Sequence, residues 1–378
     1  MIQRFRIADF VFSLECENDH SPLDGIAEKM QSIRTEENVV PNIRIIYGSK
    51  LPQLLHPVTR LEHASVCDGA FVSRTRTGDL YSLSTEDPDS WLVHIAPPKQ
   101  KFFKKIRHFL KKYLKYNLFY GNTINEIYSK KLLYGIIEPV FLAWMALHGR
   151  TLLHCSTVVK DGKAFVFPAW SGVGKTSLLS YFMQAGWDYL CDDIAILSSD
   201  GSLHHFPLPM HIYGYHKVAC PDIFNRLTAK MKSFDKLTWN WTRKFYAQDK
   251  MSRWVTAEHI YGKERIARSA TVKNIIHMQR TTIAEPLRFS PASPADLARF
   301  VTNTIYNELP LITTISSFCS SHRTKSCIPG LHELSGMIAQ NAEQAFSHGK
   351  TYEMIIGKET TPAQVWEFLK KEFPEELG

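Results

Sequence analysis

The sequence predicts an α/β fold in two parts: a smaller β-rich domain at the N-terminus, then a larger core in which strands and helices alternate. Three observations carry this. From Met1 to about Ala96, apolar and polar residues alternate over short segments broken by Gly, Asp and Pro, the pattern of strands and turns. From Leu132 onward, several longer segments repeat apolar residues at helical spacing. Within the second part, the apolar run Ala164 to Phe167 leads into a glycine-containing loop and then directly into a helical segment.

In chain order, the strand-like segments of residues 1–96 are Phe5 to Leu14, Ile43 to Tyr47, Ala70 to Arg74 and Leu80 to Leu83. At Pro97-Pro98 the composition changes to KQKFFKKIRHFLKKYLKY. There Phe102, Phe103, Ile106, Phe109, Leu110, Tyr113 and Leu114 keep helical spacing and lysines fill the gaps, which marks residues 97–130 as a basic amphipathic connector. Its lysine face suits plain solvation as well as an acidic peptide or an anionic membrane surface. The core occupies residues 131–378. It opens with an apolar helix, Leu132 to Leu147, which contains Glu138 and Pro139 and falls short of the roughly 20 apolar residues of a bilayer span. No transmembrane segment is expected.

After His148-Gly149, TLLHCSTVVKDGKAFVFPA reads as two strands joined at Asp161-Gly162. Ser177 to Ala185 reads as a helix stopped by Gly186, and Trp187 to Leu197 as one strand, turned at Ser199-Asp200-Gly201 into Leu203 to Phe206. Signals are weak from His211 to about Arg268. A strand at Thr271 to Met278 and helices at Pro294 to Glu308, His332 to Gln344 and Pro362 to Glu372 complete the chain.

With 44% hydrophobic residues the chain can bury one large core or two moderate ones, which excludes wholesale disorder. The opening MIQRFRIADFVFSLEC has neither the apolar run nor the cleavage site of a secretion signal. Seven cysteines are odd in number, scattered and never spaced CxxC, which fits reduced thiols in a cytoplasm better than a disulfide framework or a zinc site. A net charge of +8 is shared by nucleic-acid binders, phosphate-handling enzymes and binders of acidic peptides, and does not choose among them.

The chemistry is concentrated in three places. AWSGVGKTSL matches GxxxxGK[ST] at every position but the first, where Ala169 stands for glycine, and it lies between an apolar strand and a helix, as phosphate binding requires. Ser171, Gly172, Val173, Gly174, Lys175, Thr176 and Ser177 are therefore the candidate nucleotide-binding residues. Lys175 is placed to neutralise phosphate charge and Thr176 to offer its hydroxyl to Mg²⁺. Seventeen residues beyond Lys175 come Asp192 and Asp193 in the otherwise apolar YLCDDIAIL. Adjacent carboxylates in such a setting are costly unless a cation or a proton uses them, although a solvated turn or a structural ion pair would also explain them. His154, in LLHCS on the preceding strand, reads on spacing alone as a satisfied core histidine or an active-site group. Arg265, Arg268, Lys273 and Arg280 are candidates for a transition-state cation, with nothing in the sequence to choose among them.

LLHCSTVV, AWSGVGKTSL, DYLCDDIAIL and FPLP at Phe206 to Pro209 follow in an order and spacing that resembles the HPr kinase and phosphoenolpyruvate carboxykinase superfamily. In length and layout the chain looks most like its lasso peptide (precursor peptide) kinases. The motif-bearing likeness covers about Leu152 to Pro209, with a weaker one around Val272 to Arg280. The resemblance implies an HPr-kinase-like P-loop core, a mixed sheet with flanking helices. It also implies ATP and Mg²⁺ as cofactors, Asp192 as general base, Asp193 as a ligand of the divalent ion together with Thr176, and His154 and Lys175 in the catalytic group. The acceptor it implies is a serine of a precursor peptide.

The expected function is therefore ATP-dependent phosphorylation of a serine hydroxyl. A small-molecule kinase acting on serine or a sugar is one alternative, and a nucleotide-dependent regulator without transfer another, although the aspartate pair has no use in the latter. A nucleic-acid motor is disfavoured because the acidic pair closes the very next strand, and no RNA- or DNA-reading motif is present. The expected partner is a precursor peptide, with a homo-oligomer allowed.

Overall fold

The computed structural model describes residues 2–17, 21–48, 51, 59–60, 64–67, 69–74, 79–87, 89–97, 124–245, 251–320 and 328–377. The basic connector helix expected between Lys99 and Lys115 lies outside the described residues. The architecture is mixed α/β with several sheets. The chain separates into two compact units, Met1–Asn117 with Asn122–Trp144 and Glu308–Gly336, and Leu118–Gly121 with Met145–Asn307 and Met337–Gly378. Among the described residues no helix is long and apolar enough to cross a membrane.

The first unit holds a nine-stranded sheet in the order β3-β1-β2-β4-β9-β8-β7-β6-β5. Its strands are β1 (Ile2–Ile7), β2 (Phe10–Cys16), β3 (Arg34–Thr35), β4 (Ile43–Tyr47), β5 (Thr59–Arg60), β6 (Ala64–Cys67), β7 (Ala70–Arg74), β8 (Leu80–Asp87) and β9 (Ser90–Ala96). The segment expected as one strand from Phe5 to Leu14 is a hairpin instead. Ile7 pairs with Phe10 across a turn in which Ala8 takes a left-handed φ of 55°, a conformation its alanine identity does not signal. Helix α1 (Pro22–Lys29) starts on a reciprocal cap, with the Ser21 hydroxyl accepting from Leu23 N and the Asp24 carboxylate accepting from Ser21 N. Helix α2 (Ile124–Leu132) passes through a π-helical turn at Leu133–Ile137 into α3 (Glu138–Leu147), and Phe141 of α3 meets the Phe10 ring edge-on at 5.1 Å.

The second unit is built on β10 (Arg150–Lys160) and β11 (Lys163–Pro168), an antiparallel pair turned at Asp161 and Gly162. Both turn residues have positive φ, 52° and 73°, as a two-residue hairpin of right-handed twist demands. Helix α4 (Lys175–Gln184) follows the loop after β11 and leads to β12 (Asp188–Cys191), β13 (Ile194–Ser198) and β14 (Ser202–His205). The weakly patterned residues 211–268 form a separate ribbon of β15 (Met210–Tyr213) and β16 (Ser252–Val255). Between these strands lie α5 (Pro221–Ala229) and α6 (Ser233–Phe245), packed over a small core of Phe224, Trp239 and Met251. Then come β17 (Ser269–Arg280), β18 (Arg288–Pro291), α7 (Pro294–Glu308), α8 (Leu331–Phe346), β19 (Lys350–Ile356) and α9 (Pro362–Glu372).

Strands β11, β17 and β19 run parallel, and β10, β13, β14, β17 and β11 pair in a closed circuit. Alternation along β11 divides the core: Phe165 and Phe167 face α4 and α9, while Ala164 and Val166 face α7 and α8. On the first side Phe165 lies 5.9 Å from Phe182, 5.2 Å from Trp187 and 5.2 Å from Phe373, and Phe182 lies 4.8 Å from Trp366. This aromatic cluster fixes α4, and with it the loop, against the sheet. Phe165→Ala is expected to cost about 3–5 kcal/mol of unfolding free energy, read by denaturant titration, because the rings around the void are held by other elements and cannot collapse into it.

Candidate active site

The chain leaves β11 at Pro168, but Ala169 still bridges Met278 of β17 in parallel fashion and is buried in the aromatic core. Its φ is not positive, so the position where the motif has its first glycine makes no demand here that alanine cannot meet. The demand falls on Gly172 and Gly174, whose φ values are 84° and 113°. A Cβ on Gly172 would meet nothing within 4 Å, so backbone conformation rather than space calls for glycine there. Left-handed residues alternating with ordinary ones form the type of nest that converges successive N–H groups on an anion. No side chain caps α4, whose N-terminal N–H groups follow Gly174.

Lys175 is buried. Its Nζ donates to the carbonyls of Ala169 at 2.6 Å and Trp170 at 3.1 Å and lies 3.0 Å from His154 Nε2. His154 Nδ1 is 3.3 Å from Asp193 Oδ1. A neutral imidazole with its proton on Nδ1 satisfies both contacts, accepting from the lysine and donating to the aspartate. The other carboxylate, Asp192, accepts from Thr176 Oγ1 at 2.8 Å and from the Ser156 hydroxyl.

Both aspartates thus meet side chains of one face of β10, since His154 and Ser156 are two residues apart. Consecutive residues of a regular strand would point to opposite faces. The single strand expected from Trp187 to Leu197 accordingly breaks at Asp192-Asp193 into β12 and β13. Cross-strand alignment with β10 nevertheless continues, Thr157 opposite Cys191 and His154 opposite Ile194, with Cys155 N donating to Asp193 O at 3.0 Å.

The two carboxyls differ in acidity. Burial raises Asp192 to about 6, against the pull of the Ser156 and Thr176 hydrogen bonds and the Lys175 charge, with the Asp193 charge adding to the rise. Asp193 feels the same burial, but the hydrogen bond from His154, with the Lys175 charge behind it, holds it below the ordinary carboxyl range. One group therefore stays ionised while its neighbour is poised near neutrality, a division suited to one fixed charge and one proton acceptor.

Of the residues singled out from the sequence, His154, Lys175, Thr176, Asp192 and Asp193 join one network. Ser171 and Gly172 are exposed on the loop, Val173 is buried, and the Ser177 hydroxyl turns to the Cys220 thiol. Ser156 was missed, although its place two residues beyond His154 on one strand was a usable signal. Arg265 is tied to Asp188 at 2.9 Å and to the Met183 and Trp187 carbonyls, and Lys273 to Glu376 at 2.9 Å, whereas Arg280 meets the loop itself, donating to Val173 O at 3.1 Å.

Among the described residues, no group of three or more His, Cys, Asp or Glu side chains forms a metal cage. The hydroxyl and carboxylates at Thr176, Asp192 and Asp193 are hard oxygen donors of the kind Mg²⁺ shares with phosphates.

No family profile matches the chain, and no curated protein matches it. Among solved structures it is similar to the Hpr(Ser) kinase/phosphatase from Coxiella burnetii, at 8% identity and a TM-score of 0.28, over 60% of this chain and 99% of that one. A likeness this slight decides neither fold nor function, which rest on the strand pairing and side-chain geometry above.

Because the Asp192 pKa is raised, ionising it opposes folding: the cost is absent below pH 3.8, grows as pH rises towards about 6 and is complete above. Asp192→Asn removes that cost while keeping a partner for both hydroxyls. Its melting temperature is expected to exceed that of wild type at pH 7, with the difference shrinking as pH falls from 6 to 4, followed by differential scanning fluorimetry.

Proposed function

We propose that this chain is a phosphotransferase that moves the γ-phosphate of ATP to an alcohol hydroxyl. The observation that carries it is the pair of adjacent carboxylates turned to one face of β10, one bonded to the threonine that follows the loop lysine and the other linked to that lysine through His154.

The nest and the N-terminus of α4 would receive the phosphates, and Lys175 would exchange the Ala169 and Trp170 carbonyls for phosphate oxygens. Asp192 would accept the proton of the acceptor hydroxyl as its oxygen bonds the γ-phosphorus and the bond to the β-phosphate oxygen breaks, releasing ADP. Asp193 stays ionised through its contact with His154, which also orients Lys175. A divalent cation held by Thr176 and Asp193, with Asp192 beside them through its bond to Thr176, would supply charge neutralisation of the polyphosphate.

The acceptor we favour is a serine of a ribosomal precursor peptide. This rests on the resemblance of LLHCSTVV, AWSGVGKTSL and DYLCDDIAIL to the HPr kinase and phosphoenolpyruvate carboxykinase superfamily, and of the chain's length and layout to its lasso peptide kinases. Free serine or a sugar is the competing acceptor class.

Incubation with ATP, Mg²⁺ and the peptide encoded beside its gene is expected to add one phosphate mass to the peptide, read by mass spectrometry, with parallel reactions offering free serine and sugars. Asp192→Asn is expected to lower kcat by about 10²–10⁴. Lys175→Ala turning over at the wild-type rate would sink the assignment of the loop. Labelling of serine or a sugar but not the peptide would move the acceptor to small molecules.

A further inference from the structure

We propose that Arg280 is a positioning residue for the terminal phosphates of the nucleotide: it pins the Val173–Gly174 peptide of the loop and sets an uncompensated cation beside it. The inference rests on the phosphotransferase reading and adds to it a residue that no motif contains.

The topology brings Arg280 there. Strands β11, β17 and β19 are parallel, so the segments leaving Pro168, Arg280 and Ile356 gather at one edge of the sheet, the edge where ligands bind in sheets of this kind. Arg280 is the last residue of β17 and pairs with Ile356. From there its Nε donates to Val173 O at 3.1 Å. Its Nη1 donates to Gly357 O at 3.1 Å, Lys358 O at 3.3 Å and Thr360 O at 3.1 Å. A Cβ on Gly174 would lie 3.7 Å from Nη2. The guanidinium therefore spans the phosphate loop and the turn after β19, with one nitrogen turned to the residue before Lys175.

Its partners are main-chain carbonyls. Among the described residues Arg280 has no carboxylate partner, whereas Arg265 and Lys273, considered above for the same role, each have one. Carbonyls satisfy the geometry of a guanidinium without cancelling its charge, and a half-buried cation left in that state gains most from an arriving anion. Burial lowers its pKa in the same sense, and an arginine still keeps its proton. The bond to Val173 O also polarises that peptide, whose N–H belongs to Gly174, and so strengthens it as a donor.

The test compares wild type, Arg280→Met and Arg280→Lys by calorimetric titration with ADP and AMP in the presence of Mg²⁺. Arg280→Met is expected to weaken ADP about tenfold and AMP by no more than about twofold, the scale of one charge-assisted hydrogen bond at the outer phosphate. Arg280→Lys keeps the charge but cannot bridge four carbonyls, and is expected to weaken ADP about threefold. If Arg280→Met does not fold, Arg280→Lys decides alone by the same ADP-to-AMP ratio. An unchanged ratio, whether through intact affinity or equal losses for both nucleotides, overturns the inference while leaving the phosphotransferase reading in place. Wild type that takes up neither nucleotide overturns both.

Discussion

Two adjacent carboxylates held against one face of β10, with a buried ammonium two contacts away through His154, set the constraint around which the second unit is arranged. In water each charge would be cheap. Here burial penalises each of them, and the penalty is offset by specific partners: hydroxyls for Asp192, an imidazole for Asp193, carbonyls and the same imidazole for Lys175. The partners are unequal, so the two carboxyls part in acidity although they are neighbours in sequence. The arrangement also distorts the backbone, since both side chains reach one face only because the strand breaks between Cys191 and Ile194.

The sheet supplies the rigidity this network needs. His154 and Ser156 sit on β10, a strand paired on both sides, and β11 delivers the loop from a strand locked by the Phe165, Phe182 and Trp187 cluster. A displaced α4 would carry Lys175 away from His154 and Thr176 away from Asp192 together. Packing and electrostatics are thus coupled through a single helix, and the rings behind the site matter to its chemistry without touching it.

Much of the second unit was legible because its signals are local. The Asp161-Gly162 turn, the limits of the 294–308 and 362–372 helices, and a strand, glycine loop and helix in succession follow from residues close in the chain, where conformational preference and periodicity act. Other elements were not legible for equally physical reasons. The break at Ala8 is imposed by pairing of Ile7 with Phe10, since alanine does not seek a left-handed backbone. The ribbon of β15 and β16 joins strands that lie far apart in the chain, and its strands are four residues long, too short to show a period. The substitution of Ala169 for the motif's first glycine is explained only by its bridge to Met278, which keeps that residue in sheet geometry.

By itself the sequence determined that two glycines precede a lysine and a threonine at a helix start, and that an acidic pair follows seventeen residues after the lysine, because spacing along a chain fixes which groups a short segment can present. Tertiary structure alone decided which of those groups meet. Ser156 rather than a distant residue faces Asp192, His154 bridges lysine and aspartate, and Arg280 reaches Val173 across 107 residues, because each contact is made between strands whose order and register arise from the packing of the whole sheet.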